Sequence, residues 1–131
     1  MTTPDTTLDV TSTTGDTLQK FIFDNAAVRG ELVEISDTWR EIQHLHAYPA
    51  AVKTVLGEMV AAAALLSANL KFNGAIVMQI HGDGPVRLLV VECDSQLRLR
   101  ATAKMADGYA LSEGASLTEL LNVSGKGRFV I

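Results

Sequence analysis

The first third of the chain alternates short apolar runs with turn residues, a pattern that is typical of strands. Residues 18–23 (LQKFIF) and 28–35 (VRGELVEI) have strand composition, and Asp24-Asn25 mark a turn between them. These runs predict a hairpin or an exchangeable arm.

Two helices are predicted next. Ser36, Asp37 and Thr38 are all N-cap candidates, and Thr38 with Glu41 has the spacing of a capping box. They predict a short helix that ends at about His46. Residues 48–71 predict a long helix, for which Asn73-Gly74 supply the stop signal.

The second half of the long helix, residues 59–70, has only two polar side chains, so it needs cover on more than one side. A stripe of small residues follows one face: Gly57, Ala61, Ala64 and Ala68. Bulkier groups occupy another face: Val52, Val55, Met59 and Leu66. Because a smooth face permits close approach and a bulky face fills a wider gap, the pattern predicts a helix between two layers.

Three apolar runs after the long helix predict an antiparallel meander: residues 74–82 (GAIVMQIHG), 85–93 (PVRLLVVEC) and 96–105 (QLRLRATAKM). The third run alternates, with Leu97, Leu99, Ala101 and Ala103 on one face and Arg98, Arg100, Thr102 and Lys104 on the other. One side of this sheet is therefore expected to face water, while the other covers the long helix.

The end of the chain predicts three further segments. Residues 106–115 resemble a loop, and Ser116 with Glu119 predicts a capped short helix over residues 117–122. Residues 128–131 (RFVI) begin like a strand and stop, so we expect the sequence to be cut from a longer protein.

The fold class that these elements predict is α+β: a layered β/α/β sandwich with one long buried helix between mainly antiparallel sheets. Residues 1–17 are rich in threonine and poor in aliphatic groups, which predicts a disordered tail, and residues 18–131 predict a single domain.

Composition narrows the class of protein. The net charge of −4 argues against general nucleic-acid binding, and no secretory signal pattern opens the chain. Lys53 and Glu58 confine the apolar run of the long helix to far fewer than the ~20 residues of a membrane span, so no membrane insertion is expected. The single Cys93 cannot form an internal disulfide, which favours the reducing cytoplasm.

Two sets of residues that contain histidine are candidates for a metal site or a nucleophilic site. His44 and His46 would point about 200° apart on a helix, so a zinc site is not expected there. His81, Asp83 and Cys93 could form a nucleophilic set, but the turn around Asp83 and the apolar strand around Cys93 favour structural roles.

Two charged segments complete the candidates. Gly125-Lys126-Gly127 lacks the order of a phosphate-binding loop and predicts a turn. The row Arg98, Arg100 and Lys104 could bind an anion or an acidic partner, although alternation alone predicts a solvated face. No catalytic, cofactor-binding or metal-binding residue is assigned, and an enzyme is not expected.

Several ordered blocks carry a resemblance to a known family: Phe23-Asp24-Asn25, residues 27–33 (AVRGELV), Tyr48-Pro49 with Val52, residues 56–74 (LGEMVAAAALLSANLKFNG), residues 79–85 (QIHGDGP), and VVEC before LRLRATAKM. From about Leu18 to Ile131 they resemble the amino-terminal domain of the 33 kDa chaperonin family, the bacterial redox-regulated heat-shock chaperones. This resemblance implies sheets on either side of a buried helix, and it implies that residues 18–131 are a truncated chaperone core domain.

The function implied by the resemblance is that of a cytoplasmic, ATP-independent holdase that binds unfolding proteins under oxidative and heat stress. The reduced family members carry zinc on four cysteines in a carboxyl-terminal domain, and oxidation forms disulfides, exposes client-binding surface and promotes dimerisation. This chain has neither the C-x-C nor the C-x-x-C pair, so it should hold no zinc. Two alternatives remain open: a constitutive protein-interaction module without redox control, and a small-molecule enzyme that uses Cys93 or His81.

Overall fold

The computed structural model describes residues 15–71, 73–108 and 111–131, and those ranges form two sheets and three helices. The elements are β1 (Thr17–Ile22), β2 (Arg29–Glu34), α1 (Asp37–Leu45), α2 (Ala50–Ser67), β3 (Ala75–His81), β4 (Val86–Asp94), β5 (Leu99–Met105), α3 (Leu117–Leu121) and β6 (Arg128–Val130). The predicted tail lies outside the described residues up to position 14, as do two positions of the predicted 106–115 loop.

Both sheets are antiparallel. β1 and β2 form a two-stranded hairpin, and the other four strands form a sheet in the order β5-β4-β3-β6. One face of that sheet contributes to the core through Ile76, Met78, Leu89, Val91, Cys93 and Ala101. Arg100, Thr102 and Lys104 lie on the opposite face and are exposed, so the alternation predicted for β5 is confirmed.

Helix α2 is covered by other elements on two sides. Val52, Leu56 and Val60 are at most 1% exposed and belong to the core that includes the four-stranded sheet. On another side, Ala64 lines a cavity of about 210 Å³ together with Leu18 and Val33 of the hairpin. The predicted α+β fold, with a helix packed against two antiparallel sheets, is confirmed.

Small residues of α2 meet their neighbours closely, as their spacing predicted. A Cβ built on Gly57 would lie 3.2 Å from Cζ2 of Trp39, so α1 approaches α2 where a side chain is missing. Just past the end of α2, the backbone carbonyl of Ala68 accepts a hydrogen bond of 2.8 Å from Nζ of Lys20 on β1. The bulky face differs from the prediction at Leu66, which is 46% exposed. The sheet covers the adjacent position instead, because Ser67 is 2% exposed and its hydroxyl donates to the Cys93 carbonyl of β4.

Two predicted boundaries are wrong for local reasons. Helix α2 ends at Ser67 rather than residue 71, because the side-chain amide of Asn69 donates to the Leu65 carbonyl and closes the last turn. Strand β5 begins at Leu99 rather than residue 96, because the Asp94 carboxylate accepts the N–H groups of residues 96 and 98 and holds a turn.

At the start of α1, the N-cap is Ser36, one of the three predicted candidates. Asp37 opens the helix, and the predicted Thr38 capping box is replaced by a carboxylate from outside the helix. Asp16 accepts the N–H groups of Ser36 and Asp37 at 2.8 and 3.0 Å, together with that of Thr38 at 3.1 Å. At α3, by contrast, Ser116 caps the N–H of Glu119 as predicted.

By length and composition, the 18 residues of α2 could cross a membrane. Half of the helix is buried inside the described part of the chain, and the core helix of a soluble protein passes the same test. Its apolar character is thus accounted for by the two layers that cover it.

Candidate functional site

An apolar groove with a volume of about 480 Å³ runs between α2 and β6 and is closed at one end by α3. We name it the α2–β6 groove. Its lining residues are Val55, Glu58, Met59, Ala62, Met78, Ile80, Leu117, Leu121, Asn122, Gly127, Arg128 and Phe129. Most of the lining is hydrocarbon or thioether, and charge is confined to Glu58 and Arg128.

Strand register explains why these side chains converge. Ile80 pairs with Phe129, so both side chains lie on the sheet face that Met78 also occupies, the face toward α2. Met59 on α2 and Met78 on β3 are almost fully buried at 6% and 4% exposed, whereas Phe129 is 54% exposed. The groove therefore has a buried floor and an open rim.

The loop before β6 is held by one carboxylate. Asp83 accepts hydrogen bonds from the backbone N–H groups of Val123, Ser124 and Lys126, at 2.7, 3.0 and 2.9 Å. The hydrogen bond from Lys126, followed by those from Ser124 and Val123, lowers the pKa of Asp83 below its ordinary value. These three hydrogen bonds, which we name the Asp83 clasp, hold the loop so that β6 lies beside β3.

Gly127 completes the approach to β6. Its N–H donates to Oδ1 of Asn122 at 2.9 Å, and a Cβ at this position would lie 2.8 Å from the Leu121 carbonyl oxygen. Only glycine fits so close to α3 without moving the backbone.

The chemistry of the α2–β6 groove is that of an adaptable apolar surface. Methionine side chains are flexible and polarisable, so Met59 and Met78 can repack around guests of different shape. Glu58 and Arg128 at the rim provide contacts for polar atoms. Such a surface binds hydrophobic side chains without selecting one sequence.

The three residues considered as a nucleophilic set are held apart. Cys93 pairs with Ile76 on the core face, whereas His81 pairs with Leu88 at the other end of β3 on the opposite face. Cys93 is fully buried, and burial raises the pKa of its thiol. The carboxylate of Asp83 already accepts hydrogen bonds from the loop before β6. Cys93 is thus a packing residue, as predicted.

The histidines do not converge. His44 is the last-turn basic residue of α1, but His46 lies beyond the helix in extended backbone and stacks on Tyr48 with ring centroids 5.4 Å apart. The prediction that both lie on one helix is therefore wrong. Gln79 Oε1 lies 3.0 Å from Nε2 of His81.

No group of three or more His, Cys, Asp or Glu side chains that could hold a metal occurs within the described ranges. Zinc on four cysteines, the site implied by the resemblance, does not fit this sequence, because it contains one cysteine and that thiol is buried.

The two charged candidates have structural explanations. Gly125 has φ +75° in the turn that Lys126 continues, so the predicted turn is confirmed. Arg98 is paired with Asp94 at 2.6 Å and Arg100 with Glu92, so two of the three side chains in the predicted cationic row already form ion pairs.

Reasoning from the sequence missed Asp16, and it identified Asp83 only as a turn residue without its contacts to the loop before β6. Each carboxylate binds backbone groups that lie at least 20 positions away along the chain. The local signal is that Asp16 precedes β1 and that Asp83 lies in the turn between β3 and β4, positions at which aspartate is also common in ordinary turns.

Comparison of the sequence with known proteins identifies the family. The model of the family described as Hsp33 protein matches residues 16–131. Proteins named 33 kDa chaperonin are similar: one from Chromobacterium violaceum is 50% identical over 111 residues, covering 85% of this chain and 37% of the relative. Another, from Shewanella sediminis, is 45% identical over 116 residues, covering 88% and 39%. The chain thus spans less than two-fifths of the length of these curated relatives. This chain belongs to the Hsp33 family of chaperones.

Proposed function

We propose that this chain is the client-binding part of a holdase, a chaperone that binds unfolding proteins without ATP and prevents their aggregation during oxidative and heat stress. The observation that carries the proposal is the α2–β6 groove, an open apolar surface with methionines in its floor, in a chain of the Hsp33 family. Soluble proteins seldom expose contiguous apolar surface unless it binds something.

The strength of binding that such a groove supplies suits a holdase. Burying one large apolar side chain contributes about 1.5–3 kcal/mol, so two client side chains contribute about 3–6 kcal/mol before the cost of ordering the client is subtracted. The net affinity of one groove is therefore weak, and the client can leave and refold.

Redox control is proposed for the full-length protein and not for this chain by itself. Cys93 is the single cysteine and is buried in the core, so a switch that forms disulfides and releases zinc would need cysteines from outside this sequence. A cytoplasmic location and a homodimer are proposed with it. Neither nucleic acid nor a membrane is a proposed partner, in line with the net charge of −4 and the covered α2.

The proposal is tested by the aggregation of a thermally unfolded test enzyme, followed by light scattering, with the full-length protein in reduced and oxidised forms. Suppression only after oxidation supports a redox-regulated holdase. Suppression in both forms would favour a constitutive interaction module instead, and suppression in neither form would eliminate the chaperone function.

The groove itself is tested with a matched pair of variants. Phe129→Ser removes an aromatic side chain from the rim, while Leu32→Ser removes a comparably exposed apolar group from the outer hairpin, at 54% and 60% exposure respectively. We expect the first variant to lose most of its suppression and the second to keep it. Equal effects of the two would show that the groove is not the client site.

A further inference from the structure

A second cavity, of about 520 Å³, lies between α1 and the outer edge of β5, away from the α2–β6 groove. We name it the α1–β5 slot. It is lined by Thr38, Glu41, Ile42, Leu45, Val90, Glu92, Leu99, Arg100, Ala101 and Thr102. One wall is therefore helix α1, and the other is the edge strand β5 together with Val90 and Glu92 of its neighbour β4.

The edge of β5 offers unpaired backbone groups to the slot. β5 is the terminal strand of its sheet, and the N–H of Ala103 points away from β4 because it donates to the Tyr48 hydroxyl at 3.1 Å. Backbone direction alternates along a strand, so Leu99 and Ala101 turn their N–H and C=O groups to the same side. No backbone partner for their N–H groups occurs among the residues with described positions.

The helical wall is apolar and carries one free negative charge. Ile42 is buried at the base, and Leu45 is 72% exposed above it. In the described part of the chain Glu41 has no ion pair, whereas Arg100 on the facing strand is already paired with Glu92. The slot thus presents edge backbone, hydrocarbon and an uncompensated carboxylate.

We propose that the α1–β5 slot binds an extended segment of an unfolded protein by strand addition, with alternate apolar side chains on the helical wall and a basic side chain opposite Glu41. A helical guest cannot fit this role, because its backbone groups already bond one another. The charge on Glu41 selects a cationic segment over an acidic one. This inference rests on the proposed function and adds to it the conformation and charge of the client.

The probe is a capped, fluorescein-labelled heptapeptide of alternating valine and threonine with a lysine at its centre, and binding to the 131-residue chain is measured by fluorescence anisotropy. Two control peptides replace the central lysine by glutamate, or two alternate residues by proline. We expect the glutamate peptide to bind at least threefold more weakly and the proline peptide at least tenfold more weakly. Equal binding of all three would overturn the proposal.

Three variants of the chain locate the site. Glu41→Lys should reverse the preference between the lysine and glutamate peptides, whereas Glu113→Lys, an equal charge change on an exposed loop, should not. Ala101→Pro removes an outward-facing N–H, which edge strands tolerate, and should abolish binding. If that variant fails to fold by circular dichroism, Leu45→Asp on the exposed helical wall replaces it with the same expected loss.

Other occupants would give distinct results, each of which overturns the proposal. Peptide binding that requires removal of residues 1–14 would assign the slot to the chain's own amino-terminal segment. Sedimentation showing self-association that Leu45→Asp abolishes would assign it to a second copy. If the peptides fail to bind while the full-length protein still suppresses aggregation, the slot is refuted and the holdase function stands.

Discussion

Asp16 is predicted to hold α1 in place from outside the helix. Its carboxylate accepts hydrogen bonds from the backbone N–H groups of Ser36, Asp37 and Thr38, and it also accepts one from the Thr38 hydroxyl. Partial burial acts to raise the pKa of Asp16, but these hydrogen bonds, led by that from the Thr38 side chain, outweigh it and lower the pKa below the ordinary value of 3.8. The ionised form is therefore the one that stabilises the fold.

The magnitude follows from helix capping. Removing a capping side chain costs about 0.5–2 kcal/mol, and a negative charge at a helix N-terminus adds about 0.3–1 kcal/mol. We expect Asp16→Ala to lower the free energy of unfolding by about 1–2 kcal/mol at neutral pH, and Asp16→Asn by about half as much because the amide oxygen still accepts. With a urea slope of about 2 kcal/mol per molar, the middle of the usual range, the midpoint falls by about 0.5–1 M.

Urea unfolding followed by tryptophan fluorescence is the assay, because the single Trp39 lies on α1 against Gly57. Asp24→Asn, in the exposed hairpin turn, is the matched control and should change the midpoint little.

The pH dependence of the free energy of unfolding tests whether the ionised carboxylate of Asp16 is the stabilising form. The pKa of Asp16 is lower in the folded chain than in the unfolded chain. Its contribution to the free energy of unfolding is therefore fully present above the unfolded pKa and is lost as the pH falls through the folded pKa. The difference between the original chain and Asp16→Asn should therefore shrink below about pH 4. A midpoint for Asp16→Ala equal to that of Asp24→Asn at neutral pH would refute the cap.

Three further predictions concern the core, the clasp and the thiol. Leu56→Ala, at a position 0% exposed, should destabilise the fold by about 2–5 kcal/mol in urea unfolding, whereas Leu45→Ala at 72% exposure should stay within about 0.5 kcal/mol. Asp83→Asn should release the loop before β6 and speed amide hydrogen exchange at Val130. Since the pKa of Asp83 is lowered in the folded chain, the original chain should show the same faster exchange as the pH falls through that pKa. An unchanged exchange rate at Val130 in the variant would contradict the role of Asp83. The buried Cys93, whose pKa is raised, should react with a thiol reagent roughly 100-fold more slowly in the native chain than in urea, and equal rates would place it at the surface.

Elements whose signals are local were predictable from the sequence. The period-2 alternation of β5 and the capping box of α3 depend on residues two or three positions apart, and both occur in the structure. The small stripe on α2 likewise predicted close packing, which Gly57 and Trp39 provide.

Contacts between distant parts of the chain were not predictable. The start of α1 depends on Asp16, which lies on the far side of a whole hairpin. The α2–β6 groove needs Met59, Met78 and Phe129, which come from three elements and share no sequence motif. Each is an ordinary core residue by its local pattern, so its role becomes visible only when strand register places β6 beside β3.

The groove and the slot lie at opposite edges of the four-stranded sheet and share no lining residue. Three interstrand spacings of about 4.8 Å separate β5 from β6 by roughly 14 Å. A short peptide paired with β5 runs parallel to that edge and does not cross the sheet, so it occupies only the slot. A long unfolded chain can reach both, and binding at the first raises its effective concentration at the second. The two sites in combination would therefore favour long unfolded chains over short peptides and over folded proteins, which offer neither free extended backbone nor accessible apolar side chains. Loss of one site should weaken binding of a long client far more than it weakens a short peptide held at the other.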